Sequence, residues 1–319
     1  MSIAVLVCSL GLLQPAARGQ TVYQFTTLDD PAAGVGGGTN AAAISGNTIV
    51  GTFRTANSSQ SSGFIYDGST FTTLTAPSAA ITTASGVLGS TVVGGYRDTV
   101  GGLLQGFIFN GSTYVTLDDP LAANGSGISG ISGSLLAGSY EDANFQEHGY
   151  LYNGSTFTPL DDPTSGTVGT TANGISGSSV VGTFFVRGIG LGTTSFGYVY
   201  NGGTYTTISD PFGNSETGPF TDANGLYGNV IVGSYQDSND ISHGFIFDGS
   251  TYTTLDDPLG VNGTVLNGID GTTIVGDYFD SNGIPHGFIA TPVPEPTSVV
   301  LFCAASFALL LRPRRAPAR

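Results

Sequence analysis

Gly244-Phe-Ile-Phe-Asp-Gly-Ser-Thr-Tyr-Thr-Thr-Leu-Asp-Asp-Pro258 recurs along the chain. Near copies start at Gly63, Gly106, Gly149 and Gly197, and a shortened copy starts at Gly287. Successive copies lie 43, 43, 48, 47 and 43 residues apart. A period of 40 to 50 residues with strand-like content marks an array or a propeller. A second motif fills the interval. It runs Ile44-Ser-Gly-Asn-Thr-Ile-Val-Gly51-Thr-Phe53, with counterparts ending at Gly94, Gly138, Gly182, Gly233 and Gly276. An aromatic follows two residues after each of these glycines: Phe53, Tyr96, Tyr140, Phe184, Tyr235 and Tyr278.

Turn chemistry divides each unit into four strands. Gly46-Asn47 and its five counterparts, Gly first, suit a type II′ hairpin turn. Asp67-Gly68, Asn110-Gly111, Asn153-Gly154, Asn201-Gly202 and Asp248-Gly249 signal a second hairpin. The connection after Asp-Asp-Pro is the long one, as from Pro120 to Ile131. A propeller blade needs one such step, from its outer strand to the next inner strand. The order is therefore A (the short Gly-Ile stretch), B (Thr-Ile-Val-Gly-Thr-Phe), C (Gly-Phe-Ile-Tyr) and D (Thr-Phe-Thr-Thr-Leu).

The ends of the repeat region complement one another. The last unit stops after strand C, at Gly287-Phe288-Ile289-Ala290. The chain opens with an orphan strand D, Tyr23-Gln-Phe-Thr-Thr-Leu-Asp-Asp-Pro31. That orphan can complete the last blade and remove its open edge. The expectation is an all-β, six-bladed propeller over residues 20–292, closed by the N-terminal strand. A β-solenoid or a stacked β-repeat array is the alternative. A monomer is expected.

Composition agrees. The 319 residues include 50 Gly and only 10% charged residues. There is no Lys, and between Gln20 and Val293 three Arg face 22 acidic residues, a net −19. Such a body repels nucleic acid and attracts cations and basic partners. Cys8 and Cys303 both lie outside the repeats, which excludes a disulfide framework, a thiol nucleophile or a cysteine zinc site within them.

Residues 3 to 13 form a short apolar run, and Ala17-Arg18-Gly19 follows, so residues 1–19 read as a secretory signal peptide handled by the general secretion machinery. No basic residue precedes the run, which leaves open whether Met1 is the true start. At the other end, Val293, Pro294, Glu295 and Pro296 precede an apolar stretch from Thr297 to Leu311 and a basic cluster of Arg312, Arg314 and Arg315. That order over residues 293–319 resembles the PEP-CTERM sorting signal of Gram-negative bacteria. The resemblance implies an exosortase partner, transient anchoring of the apolar helix in the inner membrane, and release to the surface or medium.

All three His occupy one repeat position, just before the strand C glycine: His148, His243 and His286. Each has an Asp six residues earlier: Asp142, Asp237 and Asp280. The second copy has Gln105 with Asp98, whereas copies with Ser62 or Phe196 have no such Asp. The covariation suggests a hydrogen bond across the B–C loop, a structural pair. Strand D ends in Asp29-Asp30, Asp118-Asp119, Asp161-Asp162 and Asp256-Asp257, with Ser209-Asp210 and Thr75-Ala76 as variants. On one face these oxygens could attract Ca²⁺, with Asp118, Asp119, Asp161, Asp162, Asp256 and Asp257 as candidate ligands. An Asp before Pro equally caps a strand and starts a turn. No catalytic residue stands out, because near-identical carboxylates repeated around a ring do not supply two different environments.

The His-Gly-Phe and His-Gly-Tyr copies also resemble bacterial extracellular repeats with a His-Ala-Phe signature, which implies a propeller-like surface protein. These readings point to an exported structural or adhesive protein of a biofilm or extracellular polysaccharide matrix. The alternatives are a carbohydrate-active enzyme and a Ca²⁺-dependent binding module using the acidic face.

Overall fold

A computed structural model describes residues 21–164, 166–187, 193–214 and 218–293. Phe25–Thr291 form one compact unit. Residues 1–19, expected to form a signal peptide, together with Pro294 to Pro296, Arg312, Arg314 and Arg315, lie outside the described residues.

Six four-stranded antiparallel sheets make up the ring, each in the order A-B-C-D. The A strands are Gly38–Ser45, Ile81–Leu88, Gly125–Ser132, Thr167–Ser176, Thr221–Tyr227 and Thr264–Asp270. In blade 3 strand A is followed by Leu135–Glu141, Glu147–Tyr152 and Phe157–Leu160. The sixth sheet takes its outermost strand, Tyr23–Leu28, from the start of the chain, beside Pro285–Pro292. The ring is thus closed by the N-terminal strand, and the open alternatives do not apply.

The two turn families differ in build. Gly46, Gly89, Gly133, Gly177, Gly228 and Gly271 all sit at φ between 58° and 61°, the first position of a two-residue A–B turn. An L side chain is disfavoured there, so the sequence uses glycine. The C–D connection is longer than its Asp-Gly or Asn-Gly pair suggests. In blade 1 it spans four residues, because Asp67 Oδ1 accepts from the Ser69 and Thr70 N–H groups and the Asp67 N–H donates to the Thr70 carbonyl. Blade 4 alone, with Asn201 paired to Thr204, makes the two-residue turn.

The strand B glycine carries the packing. A Cβ on Gly51, Gly94, Gly182 or Gly233 would stand 1.9 Å from a strand A carbonyl oxygen, and the corresponding gaps at Gly138 and Gly276 are 2.2 and 2.1 Å. On the other side lies the strand C ring: Phe64, Phe107, Tyr150, Tyr198, Phe245 or Phe288, all 0% exposed. The ring occupies the space the missing side chain leaves. These rings join apolar clusters that cross from blade to blade, such as Leu28, Ala41, Ile49, Phe64 and Val275. Tyr150 and Tyr198 fit because their hydroxyls donate to the Gly127 and Thr171 carbonyls, each at 2.9 Å.

Every A strand carries a β-bulge at one point: Ala42, Ser85, Ser129, Asn173, Asn224 and Asn267 are skipped in the pairing. A bulge re-aims its extra residue. These six line an axial cavity of about 190 Å³. The three Asn amides donate to the next blade's backbone: Asn173 to Ala223, Asn224 to Leu266 and Asn267 to Ala41, at 3.0–3.1 Å.

Candidate functional site

Antiparallel order puts all B–C and D–A loops at one end of the ring and the tight turns at the other. The loop end holds the His residues, the Asp-Asp-Pro ends and the three Arg of the body.

Each His sits between two carboxylates. His148 Nδ1 lies 2.9 Å from Asp161 Oδ1, His243 Nδ1 2.7 Å from Asp256 Oδ2, and His286 Nδ1 2.8 Å from Asp29 Oδ2. The Asp six residues earlier is farther: Nε2 is 3.8 Å from Asp142, 3.7 Å from Asp237 and 3.9 Å from Asp280, ion-pair distances outside hydrogen-bond reach. Those three Asp shape their own loop. Asp142 accepts from the Gln146 and Asn144 N–H groups, Asp237 from Ile241 and Asn239, and Asp280 from Ile284 and Asn282. The same backbone donors hold all three carboxyls below the usual range, with the neighbouring His a smaller contribution. Strand pairing brings the Asp just past the end of strand D to His148 and His243 from 13 residues away and to His286 from 257, which sequence proximity hides.

The ring of each His stacks on the strand B aromatic: Tyr140, Tyr235 and Tyr278, with centroids 5.0 to 5.2 Å apart. Blade 4 keeps the stack as Phe184 on Phe196, at 5.4 Å. In blade 2, Gln105 accepts from the Tyr96 hydroxyl instead.

The second Asp of each pair is a turn former. Asp30, Asp119, Asp162, Asp210 and Asp257 are buried, 2 to 5% exposed. Each accepts at Oδ1 the N–H two residues on, at 2.8–2.9 Å. Each N–H donates to a strand A hydroxyl: Thr39, Ser126, Thr170, Thr221 or Thr264. Ala76 replaces the Asp in blade 1 and keeps the bond to Thr82. Burial raises the Asp210 and Asp257 carboxyls. The first Asp turns inward to strand C: Asp118 accepts from the Gly106 N–H and Asp256 from the Gly244 N–H. Among the described residues, no three His, Cys, Asp or Glu converge closely enough to share a metal ion.

Two further features stand out at particular blades. Asp277 stands where the other B strands carry Thr52, Gly95, Ser139, Thr183 and Ser234. It is buried at the closing seam and accepts from the Ala41 N–H at 2.7 Å and from the Asn40 and Asn267 amides at 2.9 and 2.8 Å. Three donors favour the charged form, but burial outweighs them and lifts the carboxyl to about 7. The other feature is a cavity of about 360 Å³ around strand A of blade 3, lined by Arg97, Leu104, Asn124, Tyr140, Glu141 and Glu147 among others. Neither Glu was singled out in the sequence, although only four Glu occur in the chain and these two lie six residues apart across a B–C hairpin.

The architecture defines a six-bladed β-propeller, and the chain is similar to solved structures. A sialidase from Trypanosoma rangeli matches with a TM-score of 0.51 and 11% identity, over 85% of this chain and 56% of its own. A fucose-binding lectin from Aleuria aurantia gives 0.43 and 15%, over 68% and 76%. The β-propeller domain of a Pyrococcus furiosus protease gives 0.47 and 9%, over 82% and 86%. At such identities the likeness concerns the fold alone. No curated protein sequence matches the chain. Residues 292–315 match the PEP-CTERM protein-sorting motif. The chain therefore carries a signal for export and C-terminal sorting, with processing by an exosortase and a surface or extracellular destination. Among the described residues no helix is long and apolar enough to cross a membrane.

Proposed function

We propose that the protein works outside the cell as a structural or adhesive component that binds extracellular polysaccharide, reaching its place after transient anchoring in the inner membrane. The cavity beside blade 3 carries the reading. It is the size of a small-ligand site and opens among hydroxyls, amides and charges at the acidic loop end of the ring. The facing Glu141 and Glu147 favour one alternative, cleavage of a glycan between two carboxyls in different environments.

The full chain, held in mild detergent, is tested against a panel of acidic, neutral and basic polysaccharides by affinity electrophoresis and by reducing-end release. Retarded migration with no new reducing ends supports binding. New reducing ends support the enzyme, and a blank panel overturns both. Replacing Pro294-Glu295-Pro296 by alanines is expected to keep the protein cell-bound; unchanged release refutes sorting through this motif.

A further inference from the structure

The six blades serve as internal controls for the B–C end. Where blade 3 pairs Glu141 directly with Glu147, blades 4, 5 and 6 pair Phe185 with Ser195, Gln236 with Ser242 and Phe279 with Pro285. In blades 1 and 2 the pairing ends one residue earlier, at Phe53 with Ser62 and Tyr96 with Gln105. Among the described residues only blade 3 opposes two like charges across a strand pair, an arrangement that destabilises a sheet. Among the described residues, no side-chain hydrogen bond or ion pair relieves either carboxylate. Glu147 is solvent-exposed and Glu141 half-buried; crowding by protein atoms on one side, and then the Glu141 charge, push the Glu147 carboxyl upward.

The void beside them has a cause in the sequence. Strand A of blade 3 reads Gly125-Ser126-Gly127, and Gly127 stands where other blades have Asn40, Thr83, Thr171, Asp222 and Val265. A Cβ at Gly127 would meet only the Leu104 side chain, at 3.0 and 3.8 Å. Blade contacts leave the space open as well. In blades 1, 2 and 4 the residue matching Glu147 forms a parallel bridge to the next blade: Ser61 to Ile81, Leu104 to Gly125 and Ser195 to Phe220. Among the described residues Glu147 forms none. Its Cβ instead lies 3.6 Å from the position a Cβ on Gly169 would take.

Two unrelieved carboxylates over a cavity suit a cation. A bare metal ion lacks a third close acidic or imidazole ligand here. An organic ammonium brings its own hydrogen-bond donors and needs fewer. The rest of the lining suits hydroxyl groups: the Arg97 guanidinium, which already donates to the Gly102 carbonyl, with Asn124, Ser139 and Thr171. We propose that this cavity binds a non-acetylated amino sugar, with Glu141 and Glu147 on its ammonium and Arg97 and the neighbouring polar groups on its hydroxyls. The proposal rests on the polysaccharide-binding reading and names the ligand class for that face.

The test is calorimetric titration of the full chain in mild detergent with three disaccharides: one of glucosamine, one of N-acetylglucosamine and one of glucose. Only the glucosamine disaccharide is expected to bind. Glu147→Gln and Glu141→Gln should each weaken it at least tenfold. Asp67→Asn, on a turn at the opposite end, should leave it unchanged. Removing one like charge should also keep the melting temperature of Glu147→Gln at or above that of the parent, which separates lost binding from lost fold. Equal binding of the acetylated or neutral sugar, equal weakening by Asp67→Asn, or no heat with glucosamine overturns the proposal. Retention on a neutral polysaccharide alongside no heat with glucosamine overturns the amino-sugar assignment alone, whereas a blank polysaccharide panel overturns the reading beneath it.

Discussion

The middle of each blade and its B–C end obey different rules. In the middle, the six copies are nearly interchangeable: a strand B glycine, a buried strand C ring and a strand A carbonyl meet within a few ångströms in all of them. At the B–C end the copies diverge, offering Arg, Glu, Phe or Gln at one strand B position and His, Gln, Ser or Phe just before the strand C glycine. Packing density explains the first rule, since a site with no spare volume admits one solution. Solvent explains the second, since a half-exposed position tolerates many. Repetition therefore reports the fold, and departure from repetition is where a ligand can be sought.

The middle layer is the place to break this comparison hardest. Phe107→Ala and Phe245→Ala should each cost about 3–5 kcal/mol, equally in blades 2 and 5. Gly94→Ala should cost about 3 kcal/mol, because the carbonyl of Thr83 has nowhere to move. Denaturant unfolding measures both. Costs that differ widely between blades would show that the copies are not interchangeable.

Asp277 tests the one exception within that layer. Its folded pKa of about 7 exceeds the reference value of 3.8. The folded chain therefore keeps a proton that the unfolded chain releases in this window. Stability from this group is full below the lower value, falls as pH rises through the window, and levels off above about 7. The fall amounts to roughly 4 kcal/mol at most. Asp277→Asn should remove that slope, although its NH₂ would face two amide donors and lower stability at acidic pH. Unfolding measured at pH 4.5, 6 and 7.5 decides it: parallel profiles for parent and variant would sink the assignment.

Smaller effects sharpen the boundary between the two regions. Asp162→Ala should cost about 1 kcal/mol, the value of a cap. Blade 1 already lives without that cap at Ala76, so a loss of several kcal/mol there would mean the Asp does more than form a turn. His243→Phe should change stability by only about 0.5 kcal/mol, because blade 4 makes the same stack with Phe196. A larger loss would promote the His–Asp256 bond above the stack.

Strand order, ring closure and the A–B turns were legible because each depends on a residue type with a local mechanism. Glycine at positive φ marks the turn, and an orphan strand marks the closure. The bulges were not, since Ala42, Ser85 and Asn173 share no side-chain signature for an unpaired residue. The His neighbourhood was half legible. Counting back six residues finds Asp142, but the closer Asp161 belongs to a strand whose register no local pattern states. The Glu141–Glu147 pair was visible as the only close pair of Glu in the repeats, but its opposition depends on the B–C register. The void beside it depends on two glycines meeting a neighbouring blade.

The closing strand also sets a timetable. His148 and Asp161 are 13 residues apart in the chain, whereas the equivalent contact of His286 with Asp29 spans 257. Bringing the distant pair together from an unfolded chain costs about 2.6 kcal/mol more in loop entropy, with no compensating difference in the contact itself. Blades 1 to 5 can each assemble from their own contiguous segment. Blade 6 must wait, with the first-made strand held in reserve until the last residues of the propeller arrive. Completion of the ring thus reports that the whole repeat region has been delivered, at the point in the chain where the sorting motif begins.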